Sequence, residues 1–279
     1  MLSVRACLLL SLMLVLPSLS HAAQRVLVSV HPLALLVKSA WPQLEVSSLV
    51  PSNQSPHDFS LKPSDIRRVN EAAMVVWLGP EIEPYLVRLM AQKSAQLALG
   101  QLPEPQQAGD HGHEHEHDHH DPHLWLQPDI IIPLLARLQK AMKLAAPVAF
   151  LEEYEGWLMS SQQAFDGLRD RGFISYHDAF QPWVQHFNLK QLDVVTNNPE
   201  KPVGTRHVVQ VRQILASGAA ACIFVEPQFR GRLLEKLTRG LAVKRIKIDP
   251  LASSYEVKDA NFMSFYRQLS RQFKLCLSQ

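Results

Sequence analysis

Between Asp110 and His123 the chain reads DHGHEHEHDHHDPH, which places seven of its 13 histidines in 14 residues. The carboxylates Asp110, Glu114, Glu116, Asp118 and Asp121 are interleaved with them. A packed core does not tolerate that density of titratable side chains, because each buried one needs a partner. Imidazoles and carboxylates together capture divalent transition metals, so the run points to zinc-type chemistry. His111, His113, His115, His117, His119 and His120 are the expected ligands of a weak, secondary site. A solvated low-complexity linker is the bland alternative.

Three further histidines occupy equivalent places in the expected element order. His57 follows a strand and the loop 51–56. His123 follows the His-rich loop and directly precedes a helix. His177 follows the expected strand 172–176. In open α/β sheets, ligands bind outside the carboxyl ends of strands. Asp249 also ends an expected strand, 243–248. Three imidazoles plus a carboxylate or a water make a tetrahedral shell suited to Zn2+. Neutral imidazole is too soft a donor to favour Ca2+ or Mg2+. Spacing alone does not prove that the three rings converge.

The elements that must position these residues alternate. Strands are expected over 26–30, 45–50, 74–78, 172–176, 191–195, 221–226 and 243–248, with helices between them. This alternation favours parallel sheets covered by helices. Pro128 to Lys143 carries Ile131, Leu134, Leu135, Leu138 and Met142 on one helical face. A longer helix is expected from Pro147 to Arg169, with Pro147 in its first turn and Gly172 just past its end. The pattern is α/β, with two similar halves and the long helix between them. Residues 23–145 form the first lobe, with the His- and acid-rich loop near 108–121. Residues 146–170 form the linking helix and 171–279 the second lobe.

Residues 1–22 read as an export signal. Arg5 supplies the positive start, and Ala6 to Leu16 is apolar but only 11 residues long, too short to span a bilayer. Ser20-His21-Ala22 supplies small residues at a cleavage site. The expected location is the periplasm. No other apolar run is long enough to cross a membrane, so the mature chain is not expected to be membrane-embedded. The composition, 47% hydrophobic and 19% charged with net charge +2, gives no sign of a nucleic-acid surface. Beyond the signal, Cys222 and Cys276 remain. An even count in an exported chain suggests a disulfide, with two free buried thiols as the alternative.

Six ordered segments carry a resemblance: Ser55-Pro56-His57-Asp58-Phe59, Pro63-Ser64-Asp65, Asp121-Pro122-His123-Leu124-Trp125, Tyr176-His177-Asp178-Ala179-Phe180, Val225-Glu226-Pro227-Gln228-Phe229 and Ile248-Asp249-Pro250-Leu251. In this order, over nearly the whole mature chain, the sequence resembles the zinc-binding solute receptors of bacterial ABC importers (the ZnuA type of the TroA-like superfamily). The resemblance implies two α/β lobes joined by one long rigid helix, with the metal in the cleft between them. It implies zinc ligation by His57, His123 and His177. Asp249 or a water is the implied fourth ligand, since Pro56 stands where some relatives have a glutamate. A histidine at 177, where manganese and iron receptors usually have a glutamate, favours zinc. The resemblance also implies a disulfide between Cys222 and Cys276, an ABC permease as partner, a monomer, and no enzymatic activity.

Asp58 and Asp178 each follow a ligand histidine and could accept its second N–H, or simply cap a turn. Glu226 is expected at a strand end lining the cleft. Trp125 and Phe180 either shield the site or pack in the core. Three alternatives stand beside the zinc receptor: a manganese receptor of the same fold, a periplasmic zinc chaperone or buffer, and a zinc hydrolase. Against the hydrolase, the chain lacks an HExxH motif and a nucleophile elbow.

Overall fold

A computed structural model describes residues 24–100, 121–229 and 231–278. The expected export signal and the His-rich run up to His120 lie outside these residues. The first half runs β1 (Arg25–Val28), α1 (His31–Ala40), β2 (Glu45–Ser48), α2 (Pro63–Glu71), β3 (Met74–Trp77), α3 (Val87–Met90) and β4 (Gln96–Ala98). Two long helices follow, α4 (Pro128–Met142) and α5 (Val148–Phe165). The second half runs β5 (Gly172–His177), α6 (Gln181–Phe187), β6 (Lys190–Thr196), α7 (Thr205–Ala216), β7 (Ala220–Val225), α8 (Arg232–Thr238), β8 (Lys244–Lys247) and α9 (Phe262–Leu277).

Each half builds one four-stranded parallel sheet, in the orders β2-β1-β3-β4 and β6-β5-β7-β8. The two orders are the same, so the halves repeat one topology. In each, the chain direction across the sheet reverses between the first and third strand of the half, which is where such sheets open a crevice. β5 and β7 flank that point in the second sheet.

The structure departs from the sequence expectation at four elements, one of them the short strand β4, where no strand was expected. α1 was not foreseen. Eight of its residues are buried, from His31 to Val37 plus Ala40, so it has no polar face and shows no helical period. The helix expected after the strand 74–78 is a 3-10 turn, Pro84–Leu86, leading into only one α turn. The linking helix is also shorter than expected: α5 stops at Phe165 and a 3-10 turn, Asp166–Leu168, completes the connection.

One core runs through both halves. It joins Val26, Val28, Leu36 and Leu135 of the first with Phe173, Trp183, Phe224 and Phe273 of the second. Two smaller clusters sit under the outer faces of the two sheets. Hydrogen bonds cross between the halves: Trp125 Nε1 to Pro250 O at 2.7 Å, Tyr266 Oη to Trp125 O at 2.7 Å, and Phe262 N to Ser39 Oγ at 3.0 Å. His31 Nε2 pairs with Tyr255 O at 2.8 Å. A disulfide links Cys222 on β7 to Cys276 on α9, with Cα atoms 5.5 Å apart. No helix among the described residues is long and apolar enough to cross a membrane.

Candidate metal centre

The three histidines reach one point from three unconnected backbone segments. His57 sits in a 3-10 turn, Pro56–Asp58, whose N-terminal N–H groups lack helical partners. Ser55 Oγ accepts from the His57 N–H at 3.3 Å, and buried Phe59 anchors the segment that follows. His123 caps the 3-10 turn Leu124–Leu126. Trp125 in that turn is fully buried and bonded to the second half, so the turn is fixed against both lobes. His177 is the last residue of β5, at the carboxyl end of a central strand.

One ring nitrogen from each of His57, His123 and His177 lies within 4.8 Å of one from each of the others. The ring centroids are 5.1 to 5.5 Å apart and every pair is tilted or edge-on. His123 and His177 are each 3% exposed, while His57 is exposed. Neither ring nitrogen of His177 has a hydrogen-bond partner among the described residues, although both are buried. A buried imidazole left in that state is costly. Donation to a cation removes the cost at one nitrogen, so the residues present suit a metal.

The electrostatics favour neutral rings at His57. Although the residue is exposed overall, its pKa is lowered to about 4, chiefly by desolvation of the ring where it packs against its neighbours and then by repulsion from His123 and His177, with Asp121 opposing. A neutral imidazole offers its lone pair to a cation without first losing a proton. Asp178 is pushed up from the usual aspartate range, first by burial and then by Asp121.

The predicted residues around the triad fall into distinct places. Glu226 follows β7 and brings Oε1 to 3.4 Å from His177 Nδ1, with its side chain 3% exposed. Asp178 accepts from Gln191 Nε2 at 3.4 Å instead of from an imidazole. Asp58 closes the His57 turn; its side chain lies outside the described residues. Asp249, expected as a fourth ligand, is not among the converging donors. Both its oxygens are engaged: Oδ1 by Gln228 Nε2 at 2.7 Å and Leu251 N at 3.0 Å, Oδ2 by Ser253 N at 2.7 Å and Ser253 Oγ at 2.6 Å. The six loop histidines from His111 to His120 lie outside the described residues. Trp125 packs edge-on to His123, whereas Phe180 packs on Phe224 and Phe273, away from the site.

Sequence reasoning missed three neighbours. Asp121 Oδ1 accepts from His123 N at 2.7 Å and pairs with His123 Nδ1 at 2.9 Å. Its role was hidden by the acids around it. Phe229 lies edge-on to His177; nothing in a loop sequence signals that. Glu83 is 1% exposed and held at about pKa 7 by burial, which the Leu78 N–H and the Tyr85 hydroxyl only partly offset. It lines a cavity of about 300 Å3 together with His57, Phe59, Ile82, Tyr85 and Pro122.

Residues 26–276 match the family described as zinc-uptake complex component A, periplasmic. A high-affinity zinc uptake system protein ZnuA from Yersinia pestis is 29% identical over 292 residues, covering 92% of each chain. A crystal structure of ZnuA superposes with TM-score 0.69 at 22% identity, covering 89% of this chain and 98% of that one. The SBP FpvC of Pseudomonas aeruginosa, solved in complex with Mn2+, superposes with TM-score 0.71 at 16% identity, covering 92% and 98%. At these identities the structural likeness establishes the fold, and the fold alone does not choose the metal.

Proposed function

This chain belongs to the family of zinc-uptake complex component A, and we propose that it is a periplasmic receptor that binds Zn(II) and delivers it to an ABC permease. The observation that carries this reading is the meeting of His57, His123 and His177 from three distant segments. Three imidazole nitrogen donors suit Zn2+ better than Mn2+, which prefers oxygen ligands. Asp249 is already spoken for by four donors, and Pro56 has no side-chain donor. A water therefore completes the tetrahedron. Metal enters past His57, the one exposed member, from the side of the adjoining cavity.

An open fourth position also suits a hydrolytic zinc. The family is one of periplasmic zinc-uptake components, so the chain acts as a monomeric carrier without turnover. The His-rich run catches metal loosely and is dispensable for tight binding.

Equilibrium competition against a chromophoric chelator tests the assignment. The expected result is one tight Zn2+ per chain and weaker binding of Mn2+. Deleting residues 110–120 should leave the tight event in place. Preference for Mn2+ would overturn the metal, and loss of the tight event in the deletion would overturn the division of labour.

A further inference from the structure

Two of the three imidazoles have a carboxylate at the same ring position. Asp121 Oδ1 pairs with His123 Nδ1 at 2.9 Å, and Glu226 Oε1 stands 3.4 Å from His177 Nδ1. In both rings this leaves Nε2 for the cation. We propose that Glu226 is the positioning residue of the metal site: it accepts the Nδ1–H of His177, holds that ring in one tautomer with Nε2 aimed at the triad, and adds a buried negative charge beside the dication. This rests on the triad reading and deepens it.

The geometry favours Glu226 over Asp121 as the stronger of the two. Asp121 is 31% exposed at its side chain, and its Oδ1 is shared with the backbone N–H of His123. Water screens its charge. Glu226 is 3% exposed, and its Oε1 has no hydrogen-bond partner among the described residues. A charge so enclosed acts on its neighbour through a low effective dielectric. At 3.4 Å from His177 Nδ1, Glu226 Oε1 lies beyond the range of a formed N–H···O bond, and neither atom has another partner among the described residues, so the contact is one to be closed when metal binds. A cation on Nε2 withdraws electron density from the ring, strengthens the Nδ1–H as a donor and shortens the pair.

The topology makes the pairing inevitable. His177 ends β5 and Glu226 follows β7, which pairs directly with β5 in register Ser175 to Phe224. His177, the last residue of β5, and Glu226, the first after β7, thus stand side by side at the carboxyl ends of adjacent strands, at the crevice where the sheet order reverses. Pro227 and Gln228 then lead on, Gln228 anchoring to Asp249 at 2.7 Å and Phe229 packing edge-on to His177. The loop is tied down on both sides of the ring that it orients.

The test is zinc affinity and the 15N spectrum of His177 in the full mature chain, for wild type, Glu226→Gln, Glu226→Ala and His177→Ala. Glu226→Ala should weaken zinc binding about ten- to a hundredfold and abolish the single Nδ1–H tautomer. Glu226→Gln keeps an acceptor oxygen but no charge; it should keep the tautomer and still weaken binding about tenfold. Because the glutamine is nearly isosteric, it carries the test should the alanine variant not fold. Unchanged affinity in Glu226→Gln, or a preserved tautomer in folded Glu226→Ala, overturns the proposal. Unchanged affinity in His177→Ala overturns the triad reading itself. Lost affinity there with none lost at Glu226 overturns this inference alone.

Discussion

At the scale of single residues, two titrations oppose one another. His57 is held at about pKa 4 against an ordinary 6.5. Below pH 6.5 the unfolded chain takes up a proton that the folded ring refuses. Stability from this group is complete above pH 6.5 and is lost as pH falls toward 4. An NMR titration of the metal-free chain should give a midpoint near 4 for the His57 ring; a midpoint at or above 6.5 would show that the rings are not crowded. Glu83 runs the other way. Its folded pKa of about 7 lies above the ordinary 4.5, so its contribution is present below pH 4.5 and is lost as pH rises through 7. The loss amounts to about 3 kcal/mol. Urea melts at pH 5 and pH 8 should show Glu83→Gln losing much less between the two than wild type, and parallel losses would refute the account. The triad histidines could be picked out as candidates because each stands where a strand or loop gives way to a helix, but their convergence was legible only through the family resemblance. The fate of Asp249 could not. Its carboxylate is consumed by Gln228 from one loop and Ser253 from another, and no spacing rule foretells which donors fold back onto an acid.

Elements differ in how far the chain announces them. α4 was readable because Ile131, Leu134, Leu135 and Leu138 make one apolar face while the other face stays in solvent. α1 was not, because it is enclosed and lacks a polar face. β4, three residues long and half-buried, is too short to show a period. Two tests belong at this scale. A Cβ on Gly172, at the head of β5, would fall 2.6 Å from the side chain of Leu192. Gly172→Ala should therefore cost about 1–3 kcal/mol, read from the urea midpoint; no change would mean that Leu192 swings away freely. The disulfide closes 54 residues between β7 and α9, which stabilises the fold by about 4 kcal/mol on the chain-entropy account. Replacing Cys222 and Cys276 by alanine should lower the urea midpoint accordingly and leave zinc affinity within about threefold, since neither sulfur lies in the triad. A collapse of zinc affinity with an intact fold would instead mean that the β7–α9 link sets the position of Glu226.

For the whole molecule, the question is whether the lobes swing apart to admit metal. The sequence suggested two repeated halves joined by a long rigid helix, which resists hinge opening and leaves only small movements. The packing points the same way. The largest core passes from the first half through α5 into the second without interruption, and it contains Trp157, Trp183, Tyr154 and Tyr266. Tyr154 Oη donates to Pro128 O at 2.6 Å, and His186 meets Asp129 at 2.9 Å across α6 and α4. Prising the halves apart would expose these rings at roughly 25 cal/mol per Å2 and strand buried donors such as Trp125 Nε1. Rocking of the lobes by tens of degrees is therefore too costly for a carrier that must load and unload repeatedly. The expected place for loading is the His57 segment, where Pro56, His57 and Phe59 line the adjoining cavity. Small-angle scattering should give radii of gyration for zinc-free and zinc-loaded chain that agree within about 1 Å, against a folded size of roughly 19 Å for this length. Hydrogen exchange on zinc loading should slow at residues 55–59 and stay level in α1, α5 and α9. Slowing spread through those three helices would instead mean that the two halves part in the metal-free state, and the shared core would then be a property of the loaded form.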